Sequence, residues 1–308
     1  IEIKDSIYRG REDFVYRLVV GELPFVTSIF PLGGQAGAQT TVELKGWNLP
    51  TATLAMDGKG PGVYPLSVRK EEWISNRVPF AADTLSECLE KEPNDRQGSA
   101  QSITPPAIVN GRVDRPGDWD SFRFEGRAGS AIVAEVYARR LNSPLDSALR
   151  LTDAAGQPLA FNDDHEDKGA GLTTHHADSR LSATLPANGI YYLHLGDAQH
   201  KGGSEYGYRL RISPPRPDFE LRVVPSSINA RAGTAIPITV HALRKDGFSN
   251  EIALVLKDAP TGFTLSGAQV PARQDQVRLT LSVPPLLQNE PTSLCLEGRA
   301  MIAGEEVS

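Results

Sequence analysis

Apolar and polar positions alternate along most of this chain with period two. Phe219, Leu221 and Val223 alternate with polar residues. So do Ile236, Ile238 and Val240, then Ile252, Leu254 and Leu256, then Val277, Leu279, Leu281 and Val283. Successive side chains of a strand point to opposite faces, so each run predicts a half-buried strand. Turn-forming residues separate them: Pro225-Ser226-Ser227, Asp246-Gly247 and Ala259-Pro260-Thr261-Gly262. Upstream, Tyr191, Leu193 and Leu195 share one predicted face while Tyr192 and His194 share the other. Tyr206, Tyr208, Leu210 and Ile212 form another such set, read as core side chains. Val42 and Leu44 alternate within Thr40–Leu49. One stretch, 82–92, breaks the rule. Leu85, Cys88 and Leu89 have i, i+3, i+4 spacing behind a capping Asp83, which predicts a short helix or an extended arm.

The predicted fold class is therefore all-β, a tandem of β-sandwich modules. The 28 glycines and 23 prolines among 308 residues agree with a chain of many turns. Pro214-Pro215-Arg216-Pro217 reads as a stiff boundary. The resulting divisions are 1–22, 23–84, 85–215 and 216–308, the last with the strand pattern of an immunoglobulin-like sandwich.

An internal repeat supports the first boundary. Aligned without gaps, residues 5–20 match residues 197–212 at Asp5/Asp197, Gly10/Gly202, Tyr16/Tyr208, Arg17/Arg209 and Leu18/Leu210. The apolar parity also agrees, with Phe14, Tyr16, Leu18 and Val20 on one side. Residues 1–22 are thus expected to be the closing strands of a preceding copy of the 85–215 module, extended and ending near Gly21.

The candidate chemistry is acidic. Glu90, Glu92, Asn94 and Asp95 offer oxygen ligands within six residues, and Asp118 and Asp120 open a strand-like run. Such a cluster is costly unless water or a cation screens it, and an oxygen-only set suits calcium. The stretch by itself is equally compatible with a solvated acidic linker. Glu-x-Glu-Pro-Asn-Asp at 90–95, Gly-Asp-x-Asp-x-Phe-x-Phe at 117–124, Ser143–Asp146, Leu149–Gly156, Gly189–Leu193 and Tyr206–Leu210 occur in one order over residues 86–213. In that order they resemble the bacterial pre-peptidase C-terminal domain, to which the calcium-dependent collagen-binding domains of clostridial collagenases belong. The resemblance implies a small jelly-roll-like sandwich that binds or solubilises and does not catalyse. It implies Glu90, Glu92, Asn94, Asp95, Asp118 and Asp120 as ligands of one or two Ca2+ ions, with Asp114 a weaker candidate. Which of Asp118 and Asp120 binds directly stays open. Collagen binding is not carried over, because no tyrosine of the grip matches by position; Tyr192 is the one candidate for an exposed contact. Residues 24–49 resemble the opening of an IPT/TIG domain.

Other constellations carry less. Asn162–Asp167 with Asp178 lacks EF-hand spacing and reads as a solvated loop, with a weak second cation site as the alternative. His165-Glu166 has Gly169 where a zinc helix motif needs histidine. His175-His176 reads as part of a loop, surface residues and not a metal pair. Cys88 and Cys295 lie in different divisions, and no disulfide between them is expected. No nucleophile elbow or phosphate loop is present, so no enzyme is expected here. A net charge of −6 speaks against nucleic acid. No apolar run reaches membrane-spanning length. The expected role is adhesion, targeting or spacing in a secreted or cell-surface bacterial protein, with an extracellular protein or polysaccharide as partner. The alternative is an accessory region of a larger secreted hydrolase, a peptidase first.

Overall fold

The structure, a computed structural model, describes residues 2–5, 10–11, 14–166, 175–285 and 291–308. Its regular structure is all β apart from two single 3-10 turns, Gln97–Ser99 and Arg139–Leu141. Among the described residues, no helix is long and apolar enough to cross a membrane. The chain divides into two compact units, 1–83 and 84–308.

In the first unit, Phe25–Phe30, Gln39–Trp47 and Thr53–Asp57 form one antiparallel sheet. Gly33–Gln35, Val78–Asp83 and Gly62–Leu66 form a second. Val26, Ile29, Val42, Leu44, Leu66 and Phe80 are buried, so the alternation at Val42 and Leu44 does mark an inner face. The described residues of 1–22 form neither helix nor strand. Phe14, Tyr16, Leu18 and Val20 are exposed. A strand exists only through the ladder it makes with a neighbour, and none of these residues makes one.

In the second unit, residues 86–213 form a sandwich of two five-stranded sheets. One runs Gln101–Ser102, Trp119–Gly126, Gly189–Asp197, Ser147–Asp153, Pro158–Asn162. The other runs Arg180–Thr184, Ala131–Tyr137, Gly207–Ser213, Ala107–Arg112, Ser86–Leu89. Phe122, Phe124, Leu149, Leu151, Tyr191, Leu193 and Leu195 meet Val109, Ala134, Val136, Tyr208, Leu210 and Ile212 in one core. The inner faces are those that the period-two pattern predicts.

Of the two options for 82–92, the helix is absent and the extended form holds. Val78–Asp83 and Ser86–Leu89 are strands. Ser86–Leu89 lies parallel to Ala107–Arg112, with Leu89 opposite Asn110. A ladder along its whole length outweighs one turn of helical spacing, which buries only Leu85, Cys88 and Leu89 at best. His175–His176 likewise forms a short antiparallel pair with His165–Glu166, where a loop was expected. Cys88 and Cys295 are both free thiols. Residues 218–307 fold as two four-stranded sheets around Ile238, Val240, Ile252, Leu254, Leu279 and Leu281.

Candidate metal centre

The parallel strand Ser86–Leu89 delivers the acidic stretch to the mouth of the sandwich. Its ladder continues one step, since the Glu90 amide donates to the Asn110 carbonyl at 2.9 Å. The Lys91 amide donates to Gln101 Oε1, and Gln101 Nε2 donates to the Leu89 carbonyl. The stretch then turns. The Asn94 amide donates to Glu92 Oε2 at 2.9 Å, and the Asn94 carbonyl accepts the Ser121 amide at 2.9 Å. Residues 90–95 are therefore stitched to the strand that carries Asp118 and Asp120, which is not how a solvated linker behaves.

Asp120 shares the inward face of its strand with Phe122 and Phe124 and is fully buried. Its Oδ2 accepts the Tyr208 hydroxyl at 2.6 Å. Gly111 makes room for that contact. A Cβ there would stand 2.3 Å from the Tyr208 oxygen and 2.8 Å from the Glu90 Cβ. Asp118 is also buried. Its Oδ2 accepts the Asp114 amide, and its Oδ1 lies 3.3 Å from Arg115 Nη2 without hydrogen-bond geometry. Glu90 accepts from the Arg112 amide and from Asn94 Nδ2.

Carboxylate oxygens of Glu90, Glu92 and Asp120 come within 4.8 Å of one another, and so do those of Glu92, Asp95 and Asp118. Glu92 belongs to both sets. The two sets bring together five of the six residues proposed from sequence, Asn94 is hydrogen-bonded to Glu90 and Glu92 between them, and Asp118 and Asp120 fall one in each set. Asp114 belongs to neither and contributes its amide. Three buried oxygens, Asn94 Oδ1, Asp118 Oδ1 and Asp120 Oδ1, have no hydrogen-bond partner. Leaving a buried acceptor unsatisfied costs on the order of 1–3 kcal/mol, so three in one cluster need a reason.

The electrostatics point the same way. Burial, then the charges of Glu92 and Asp114, push Glu90 up to about 7. Burial, then Glu90 and Asp118, push Asp120 up to about 9. Glu92 and Asp118 are raised for the same reasons. The cationic neighbour is Arg115, exposed and paired with both oxygens of Asp95 at 3.0 Å. Neutral and anionic oxygens without imidazole or thiolate fit a hard divalent cation and not a soft transition metal.

The second oxygen-rich stretch does not form a cation site among its described residues. Asp178 accepts the amides of Ala138, Arg139 and Arg140 and the Arg140 side chain, so its oxygens are engaged. Asn162 spans the Asp164 carbonyl and the Arg180 amide. Asp167 lies outside the described residues. Tyr208, read from sequence as a core residue, is also a support of Asp120. Nothing in its local pattern distinguishes the two roles.

No family model matches the chain. A probable subtilase-type serine protease of Deinococcus radiodurans is 39% identical over 110 residues, which are 34% of this chain and 14% of that protein. The chain therefore spans a small part of the length of that relative. Among solved structures, the pre-peptidase C-terminal domain of a Bacillus anthracis collagenase aligns at 15% identity with a TM-score of 0.27, covering 40% of this chain and 99% of that domain.

Proposed function

We propose that this chain is a non-catalytic accessory region of a secreted bacterial peptidase, and that its 86–213 sandwich is stabilised by calcium held by Glu90, Glu92, Asn94, Asp95, Asp118 and Asp120. The observation that carries the reading is the set of three buried oxygens without hydrogen-bond partners, on Asn94, Asp118 and Asp120, in a cluster of five carboxylates. Bound calcium would supply the positive charge that this set lacks. The similarity to a protease supports the peptidase context, and catalysis then belongs to other parts of such a protein. Extracellular modules bind calcium at roughly 10⁻⁴–10⁻³ M, which fits an extracytoplasmic place of work. The shared role of Glu92 makes one ion or two compatible with the ligand set.

Glu90 to Asp95 lie on the loop that joins Ser86–Leu89 of one sheet to Gln101–Ser102 of the other, and Asp118 and Asp120 lie at the head of the strand Trp119–Gly126. An ion would fasten that loop to the body of the sandwich. A second reading, adhesion or spacing at the cell surface, uses the same site and differs only in partner, an extracellular protein or polysaccharide.

The test is thermal unfolding with calcium and with chelator. A ligand that binds the folded state raises the melting temperature by mass action, and Glu92→Ala with Asp95→Ala should abolish that rise. Coincident curves for the unaltered chain would refute the calcium site.

A further inference from the structure

Beside the metal centre, on the outer face of the first sheet, lies a groove of about 820 Å³. The 95–98 segment, which follows the acidic stretch, lines it together with the turn at Gly156–Pro158. Trp119, Arg150, Thr152 and His194 belong to the same lining, on adjacent strands. The volume falls in the range of ligand sites, and the lining mixes apolar surface with a few polar groups.

We infer that this groove docks an extended peptide segment bearing acidic side chains. Its charge is the first argument. The chain is acidic overall, at −6, yet Arg96 and Arg150 line the groove and neither makes an ion pair among the described residues. Asp95, the carboxylate of the lining, is engaged by Arg115. Two guanidiniums are thus left without a carboxylate on a surface where acids outnumber bases.

The second argument is that one of them is held in place. The Trp119 ring lies close over Gly196, where a Cβ would come within 2.7 Å of it. Arg150 stands 5.4 Å from the ring centroid. Stacking fixes the planar fork and leaves its N–H donors for a carboxylate, which such a fork matches bidentately. A sugar platform needs an open aromatic face, and this ring carries a guanidinium instead. His194 does not add charge near neutrality. Burial and the charge of Arg150 push it down to about 4, and its nitrogens face Ser121 Oγ at 2.9 Å and Thr152 Oγ1 at 3.3 Å.

The experiment is fluorescence anisotropy of a labelled hexaglutamate peptide on the whole chain, at fixed calcium. Saturable binding that weakens with added salt is expected. Arg150→Glu and Arg96→Glu should each weaken it about tenfold or more. Arg150→Lys, which keeps the charge and loses the fork, should weaken it less. Arg150→Gln keeps a stem over Trp119 and should also lose binding, which guards against a charge reversal that disturbs folding. No saturable binding, or reversals without effect, would overturn the inference. Equal binding of hexalysine would overturn its electrostatic basis. Competition by hexagalacturonate with equal strength would overturn the peptide assignment in favour of an acidic glycan.

Discussion

Glu90, Asp118 and Asp120 come together within the 86–213 sandwich. Glu135 and Asp246 lie where that sandwich meets the strands that follow it. Both groups are carboxylates withdrawn from water, and burial pushes the pKa of each upward. In the first group the neighbours are further carboxylates, and the values rise. In the second the neighbours are arginines. Burial works against ionisation of Glu135, but Arg140 and Arg211 overcome it and hold it below its usual range. Asp246 is likewise opposed by burial, yet hydrogen bonds from Arg211, the Arg216 amide and Arg180 bring it down to about 2. The junction contains its own counter-charge. The candidate metal centre has only the exposed Arg115 against five carboxylates, and keeps three buried oxygens without hydrogen-bond partners. Burial alone therefore does not mark a site. The mark is burial without compensation from the chain itself.

Breaking the complete cluster should have the largest effect. The Asp246 side chain is 2% exposed and joins Arg180 and Arg211 across the junction. Asp246→Ala takes from Arg180 the carboxylate it pairs with and leaves Arg211 with Glu135 alone, and the loss of one partner of a buried pair costs about 3–5 kcal/mol. Urea unfolding of the chain, in the transition of residues 84–308, should show that loss. A cost under about 1 kcal/mol would mean that water replaces the carboxylate freely.

A substitution at the incomplete cluster should behave oppositely. Asp120→Asn replaces a carboxyl whose ionisation burial and its neighbours oppose with a group that stays neutral, so stability in chelator should hold or rise. The response to calcium should vanish. In the unaltered chain that response amounts to about 2.7 kcal/mol at calcium one-hundredfold above Kd. Parallel melting curves of both proteins, with and without calcium, separate the two effects.

Acid should sharpen the contrast. Asp246 has a folded value of about 2 against an ordinary value near 3.8. Its folded form binds the proton less readily, so its contribution is fully present above the unfolded value and is lost as pH falls through the folded one. The contribution is about 2 kcal/mol by linkage. Melting temperatures between about pH 5 and pH 2 should fall less steeply in Asp246→Ala than in the unaltered chain.

The two clusters were not equally legible in the sequence. The metal centre rests on residues close together in two short motifs, and each motif is bounded by turn or strand signals. The six candidate ligands could be named because the two motifs resemble those of a known family in order and residue type. The path of the stretch stayed open between helix and extended arm, because Leu85, Cys88 and Leu89 fit a helix locally and the ladder that decides for the extended form lies with Ala107–Arg112. The junction had no such signature. Asp246 pairs with Arg211, distant in sequence, and sits in an Asp-Gly turn that explains the residue without any ion pair. Asp178 read as a distant member of an acidic loop, and its real partners are the backbone amides at 138–140. The groove was hidden for a similar reason. Trp119 and Arg150 meet only because their strands each pair with Gly189–Asp197. Period-two patterning fixes which face a side chain takes, but not which neighbours it finds there.

The smallest expected effect falls on the boundary between the two kinds of cluster. Arg115 is the metal centre's nearest counter-charge, but it is exposed and held by Asp95. It therefore screens the carboxylates weakly and competes with a cation for Asp95 and Asp118. Removing it makes the incomplete cluster still less complete. Arg115→Ala should tighten calcium binding by roughly two- to fivefold, the scale of an exposed ion pair. Isothermal titration at low and high salt is the check, and the gain should shrink as salt screens the pair. If affinity falls instead, Arg115 positions Asp95 for the ion and does not compete with it. The counter-charge would then be part of the site's construction, and the division between self-compensated and cation-dependent carboxylates would run through Asp95 itself.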